Sequence, residues 1–122
     1  MDKDLTDEQK KVLWEKATEA PFSGKYVNHK DDGVYLCAAC GNKLFASTTK
    51  YDSNSGWPSF YDAKPDSVKL TPDNSLGVSR IEATCANCGG HLGHIFPDGP
   101  KPTGQRYCIN SLALDFNGSD KS

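Results

Sequence analysis

Apolar positions recur at two different periods along this chain, and each period predicts a different kind of element. Val12, Leu13 and Ala17 fall near helical spacing. Just upstream, Thr6-Asp7-Glu8-Gln9 has the form of a capping box, with Thr6 as N-cap and Gln9 at the third helical position. Pro21 stops the run. The pattern predicts one amphipathic helix over Asp7–Glu19 and no second long helix. Beyond it, short apolar runs alternate with turn chemistry such as Asp32-Gly33, Asp73-Asn74 and Asp98-Gly99-Pro100. These runs predict strands at Val34–Leu36, Lys43–Phe45, Val68–Thr71, Val78–Ala83, His91–Phe96, Arg106–Asn110 and Leu112–Phe116. Strands at this density predict a mainly antiparallel β domain with the helix packed outside. Residues 1–5 and 117–122 are expected to fray.

Composition narrows the class. The 122 residues suffice for one domain, expected to span 1–122. At 36% apolar and 25% charged, the chain is expected to fold with a real core. Fourteen basic against 16 acidic residues leave a net charge of −2, which gives no field to grip nucleic acid. No apolar run approaches the roughly 20 residues of a membrane helix. The first residues, Met-Asp-Lys-Asp-Leu-Thr-Asp-Glu, lack the apolar segment of a secretory signal and the acid-poor look of a transit peptide. The cytoplasm is the expected compartment.

Five cysteines make an odd number, which in a reducing compartment favours metal binding or catalysis over a disulfide framework. Cys37 and Cys40 form one C-x-x-C, Cys85 and Cys88 another, and Cys108 stands alone. Each pair is followed directly by a glycine, Gly41 or Gly89, which permits the positive φ of a tight turn around a metal. Two such turns brought together make a four-thiolate zinc site. Two redox dithiols are the competing reading, but neither pair opens a helix as a thioredoxin-like motif does. A local site of Cys85, Cys88, His91 and His94 is a third, with the wrong spacing for a finger and no role for Cys37 and Cys40.

If metal takes four thiols, Cys108 alone is free for chemistry. On a strand, Arg106, Cys108 and Asn110 share one face, with Tyr107 and Ile109 on the other. A nearby guanidinium favours the thiolate, which is the nucleophilic form. A buried thiol acting as a small hydrophobe is the alternative. His91 and His94 are candidate proton carriers or hydrogen-bonded structural residues. On a regular strand they face opposite ways, unless Gly93 permits a bulge that turns one of them. Gly56-Trp57-Pro58-Ser59-Phe60 reads as a rigid aromatic loop that walls a ligand or anchors in the core.

These motifs together resemble a known family. His91-Leu-Gly-His94-Ile-Phe-Pro-Asp-Gly-Pro, Arg106-Tyr-Cys108-Ile-Asn110-Ser, Tyr51-Asp-Ser and Gly56-Trp-Pro-Ser-Phe60 resemble the type B methionine sulfoxide reductases. The paired C-x-x-C resembles their zinc-containing branch. The resemblance implies a tent-like fold of two antiparallel sheets and one structural zinc on Cys37, Cys40, Cys85 and Cys88. It implies reduction of the R epimer of methionine sulfoxide in proteins, and repair of oxidised proteins. By position, Cys108 resembles the nucleophile that becomes a sulfenic acid. His91 and His94 resemble the groups that hold and protonate the oxygen, Arg106 the thiolate's support and Asn110 a polar orienter. Trp57 and Phe96 resemble the wall for the substrate methyl, with Asp98 near the site. Many members carry a resolving cysteine where this chain has Ser55. The expectation is therefore a one-cysteine cycle closed by an external thiol, from thioredoxin, glutaredoxin or glutathione. A monomer without nucleic-acid or membrane partners is expected. The competing class is a non-catalytic, zinc-ribbon-like binding module.

Overall fold

The computed structural model describes residues 5–73 and 80–118. Helix α1 (Asp7–Glu15) starts at the capping box: Gln9 N–H donates to Thr6 Oγ1 at 3.1 Å and Thr6 N–H to Gln9 Oε1 at 2.9 Å. Its inner face buries Val12 and Leu13. The helix stops at Glu15 rather than at the predicted Glu19. Lys16 turns left-handed at φ 60°, and Ala17 N–H closes on Lys11 O at 3.0 Å. The segment beyond it is held by distant strands and loops instead: Glu19 N–H donates to Asn110, and Phe22 N–H to Gly56 O.

The strands are β1 (Val34–Cys37), β2 (Lys43–Ala46), β3 (Lys50–Tyr51), β4 (Ser59–Phe60), β5 (Val68–Asp73), β6 (Arg80–Cys85), β7 (His91–Phe96), β8 (Arg106–Ile109) and β9 (Leu114–Asn117). They build two antiparallel sheets, one ordered β2-β1-β9 and the other β3-β4-β8-β7-β6-β5. This is the mainly β architecture expected, with His91–Phe96 as predicted. Val78 and Ser79, the start of the predicted Val78–Ala83 strand, and Asn74 of a predicted turn lie outside the described residues. So do residues 1–4 and 119–122. Leu5 packs against the core and Asn117 pairs with Val34. The predicted Leu112–Phe116 strand is split, with a 3-10 turn at Ser111–Ala113 before β9. Strands β3 and β4 are missed because two residues are too few for alternation to show.

An aromatic stack joins the sheets. Phe45 of β2 lies parallel to Phe60 of β4, with centroids 4.3 Å apart and planes 11° apart. Tyr35 of β1 meets Phe60 edge-on at 5.1 Å, and Tyr107 of β8 meets Phe45 at 5.7 Å. Each such pair contributes about 1 kcal/mol beyond its buried area. The stack also fixes the site. With Tyr107 and Ile109 buried in the core, the strand alternation turns Arg106 and Cys108 to the other face of β8.

Candidate active site and metal centre

Cys108 sits between two strands that each bring it a polar neighbour. In register it faces Ser59 on β4 and His94 on β7. Ser55 approaches from the loop before β4, with Oγ 4.0 Å from Cys108 Sγ. Strands β7 and β8 meet closely here because position 93 is glycine. A Cβ on Gly93 would lie 2.0 Å from the Cys108 carbonyl oxygen. Cys108 opens on a cavity of about 310 Å³ lined by Thr18, Trp57, His94, Phe96, Arg106 and Asn110, among others. Trp57 and Phe96 give it an apolar wall, and His94 and Arg106 a polar side.

The two histidines share a face of β7, with ring centroids 5.4 Å apart. A bulge makes this possible. Gly93 pairs with Ala83 and His91 with Thr84, so Leu92 is the extra residue. The two rings nevertheless differ in position. His94 lines the cavity and shares a hydrogen bond of 2.8 Å between Nε2 and Asp73, which also receives Arg80 at 3.5 Å. His91 is 2% exposed and is not among the cavity's lining residues. Its Nδ1 lies 2.7 Å from Glu82, whose other oxygen accepts from Lys16 Nζ at 3.2 Å. Burial pushes the His91 imidazole below its ordinary pKa, despite the Glu82 carboxylate. His94 faces the cavity and His91 lies behind it, with His91 Nε2 buried and without a hydrogen-bond partner among the described residues.

Asp98 and Asn110 are each held by neighbours. Asp98 is bidentate to Arg106, with Nε at 2.8 Å and Nη2 at 3.2 Å, in an exposed groove beside the cavity rather than inside it. The Asn110 amide is committed at both ends. Its Nδ2 donates to Leu92 O at 3.0 Å and its Oδ1 accepts from Glu19 N–H at 3.0 Å. It lines the cavity with Cys108 while tying β7 to the 17–22 segment.

Arg106 stacks on Phe96 at 4.5 Å and lowers the Cys108 pKa, as the shared strand face suggests. Burial acts more strongly in the other direction, so the thiol lies above its ordinary 9.0. Alkylation of Cys108 by iodoacetamide in the metal-loaded protein should still be accelerating at pH 9.0. Peptide mapping of the adduct across pH measures this, and a plateau below that pH contradicts it.

The four remaining cysteines converge. Their sulfurs all lie within 4.8 Å of one another. Cys37 and Cys88 approach to 3.6 Å, as do Cys40 and Cys85. Thiolates about 2.3 Å from a tetrahedral ion stand roughly 3.8 Å apart, so this set can hold a metal ion. The two turns are alike: Gly41 and Gly89 both have φ 80°, and each N–H closes on the first cysteine's carbonyl at 2.8 Å. Cys85 and Cys88 group with Cys37 and Cys40 rather than with His91 and His94, as the local two-cysteine, two-histidine alternative would require.

A SelR domain family model matches residues 5–118. A Methanosarcina mazei protein named peptide methionine sulfoxide reductase MsrB is 58% identical over 113 residues, covering 92% of this chain and 81% of its own. The protein of that name from Leptospira interrogans is 55% identical over 115 residues, with 93% and 88% covered. Mouse methionine-R-sulfoxide reductase B3, mitochondrial, is 53% identical over 121 residues, a match that covers 98% of this chain and 48% of that protein. The chain belongs to the type B methionine sulfoxide reductase family. In this type B reductase, Ser55 lies directly before Gly56-Trp57-Pro58 and beside Cys108. Sequence reasoning missed Asp73, Arg80, Glu82, Thr18 and Glu19. Glu82 left one signal, a carboxylate inside the run Ile81-Glu82-Ala83, where a strand facing the core has no place for an unpaired charge. Among the described residues, no helix is long and apolar enough to cross a membrane.

Proposed function

We propose that this chain reduces the R epimer of methionine sulfoxide in oxidised proteins, using Cys108 as nucleophile. The observation that carries the reading is Cys108 opening on a cavity that sets an aromatic wall against a histidine and an arginine. Trp57 and Phe96 take the substrate methyl, and the polar side takes the oxygen. Exchanging the oxygen and the lone pair on sulfur would turn the oxygen toward the aromatic wall, where no donor waits.

Cys108 Sγ attacks the sulfoxide sulfur while His94, held by Asp73, protonates the oxygen. The sulfur–oxygen bond breaks, methionine leaves and Cys108 ends as a sulfenic acid. The sulfoxide gains two electrons and Cys108 loses two. The net step consumes no outside proton, because the thiol proton balances the count. Arg106 favours the thiolate as its proton departs. One external thiol then condenses with the sulfenic acid, releasing water, and a second frees Cys108 from the mixed disulfide. Thioredoxin, glutaredoxin and glutathione are the candidate sources.

Cys37, Cys40, Cys85 and Cys88 would hold zinc, whose contribution there is folding energy without redox chemistry. The first turn joins β1 to β2 and the second joins β6 to β7, so the ion staples the two sheets. Reduced metal thiols fit a reducing compartment such as the cytosol.

One turnover with a methionine sulfoxide peptide, without added thiol, tests the cycle. The expected products are one methionine per chain and a sulfenic acid trapped by dimedone on Cys108, with the metal-bound cysteines unreacted. An intramolecular disulfide on the metal-loaded protein contradicts the one-cysteine cycle. Ser55→Cys, which places a thiol against Cys108, should give that disulfide.

A further inference from the structure

Glu19 belongs to neither the nucleophile's strand nor the metal site, yet it bonds to two residues of the cavity lining and to the turn behind them. Its peptide N–H donates to Asn110 Oδ1 at 3.0 Å. Its carbonyl accepts from Trp57 Nε1 at 2.9 Å. Its side-chain Oε1 accepts from Leu112 N–H at 2.9 Å, in the turn that follows the nucleophile's strand. Asn110 carries the link onward to Leu92, between the two histidines. The residue is only 7% exposed, and Oε2 has no hydrogen-bond partner among the described residues. A carboxylate buried with one donor costs stability, and a neutral acceptor would do that donor's work more cheaply.

Gly24 seals this arrangement. A Cβ there would lie 2.4 Å from Glu19 Oε2 and 2.1 Å from Ser111 Oγ. The carboxylate is thus locked at a fixed height against the Ser111–Ala113 turn. Locking it fixes the peptide groups that bind Trp57 and Asn110. Without the carboxylate, the 17–22 segment keeps only main-chain bonds to the cavity.

We propose that Glu19 is a positioning residue, which clamps Trp57 and Asn110 in the geometry that receives the sulfoxide; this rests on the reductase reading above. It acts through the wall and the brace and does not touch the reacting atoms. Its charge has a second consequence. The Glu19 carboxylate is one of the groups that oppose thiolate formation at Cys108.

The test uses a Trp14→Phe background, so that Trp57 is the only tryptophan. Glu19→Ala should raise KM for a blocked R-sulfoxide, with a loss of about tenfold in kcat/KM. Trp57 emission should shift to the red as the indole loosens. Glu19→Gln keeps the Oε1 acceptor and should restore both KM and emission. It should also lower the pH midpoint of Cys108 alkylation, because a negative charge is gone. Trp57→Phe removes the indole N–H and should match the Glu19→Ala loss, with the double variant no worse than either single one. Additive losses, or a folded Glu19→Ala with unchanged KM and emission, overturn the proposal. If Glu19→Ala does not fold, Gly24→Ala displaces the carboxylate without changing it and should shift emission and KM in the same direction; no shift overturns the proposal. Should the wild type reduce nothing, the reductase reading fails, while emission still tests the clamp.

Discussion

Replacing Cys108 by serine lowers methionine sulfoxide reduction by about 10³-fold or more while leaving the melting temperature nearly unchanged. The size of the effect follows from the cysteine count. Four of the five thiols converge on one point and are available to a metal ion. Only Cys108 opens on the cavity that holds Trp57, His94 and Arg106. A serine hydroxyl ionises far less readily than a thiol, and oxygen cannot form the sulfenic acid. Stability is spared because serine is close in size and has ready partners in Ser55 and Ser59, which already share hydrogen bonds with each other and with Ser53. Turnover with dithiothreitol, measured beside a thermal melt, checks both halves. Retained turnover in the variant would make a metal-site thiol the nucleophile and overturn the assignment of Cys108.

Removing the metal has the largest expected effect on the fold. Structural zinc sites of this kind supply about 10–16 kcal/mol in small peptides, against a total stability of about 5–15 kcal/mol for an ordinary domain. Here the ion would close one turn in the three-stranded sheet and one in the six-stranded sheet. The second turn ends directly at His91, the first residue of β7. Without the ion, four thiols this close cannot all ionise. Cys37 is driven well up by the neighbouring Cys85 thiol and by burial, while the neighbouring Cys37 holds Cys85 down to about 4. The set then holds itself together only by weak sulfur hydrogen bonds. Losing even half of the metal's contribution lowers the melting temperature by roughly 15 °C or more. Cys40→Ser, or prolonged chelation of the wild type, should give that drop in a thermal melt, with one zinc per chain lost by metal analysis. A melting temperature unmoved after complete metal loss contradicts the stapling role.

What the sequence discloses follows physical range. The capping box, the two C-x-x-C turns with their glycines, and the alternation of Arg106, Tyr107 and Cys108 are local. Each is settled within a few residues, and each appears in the structure as read. The family motifs then located Trp57, His94 and Phe96, which line the cavity together. The misreadings concern groups whose partners are far along the chain. Apolar spacing carried the helix to Glu19, but Glu19 bonds to Trp57, Asn110 and Leu112. His91 and His94 look equivalent in the motif. The bulge at Leu92 sets them side by side, and the carboxylates of Glu82 and Asp73 then decide which is buried and which faces the cavity. Asn110 looks like a free amide beside a thiol until Leu92 and Glu19 take both of its ends. The sign of the Cys108 shift was hidden for the same reason. The arginine is visible two residues away, whereas the burial that outweighs it is set by the folded packing around the thiol.

Stereospecific reduction in the cavity around Cys108 is what every residue role above depends on. It is tested by separate turnover of the R and S epimers of a blocked methionine sulfoxide by the metal-loaded wild type, with dithiothreitol as reductant. The R epimer should be converted to methionine and the S epimer left untouched. Conversion of S at a comparable rate would contradict the assignment of wall and donors. Conversion of neither by the folded, metal-loaded protein would contradict the reductase itself and leave a zinc-stapled binding module in its place.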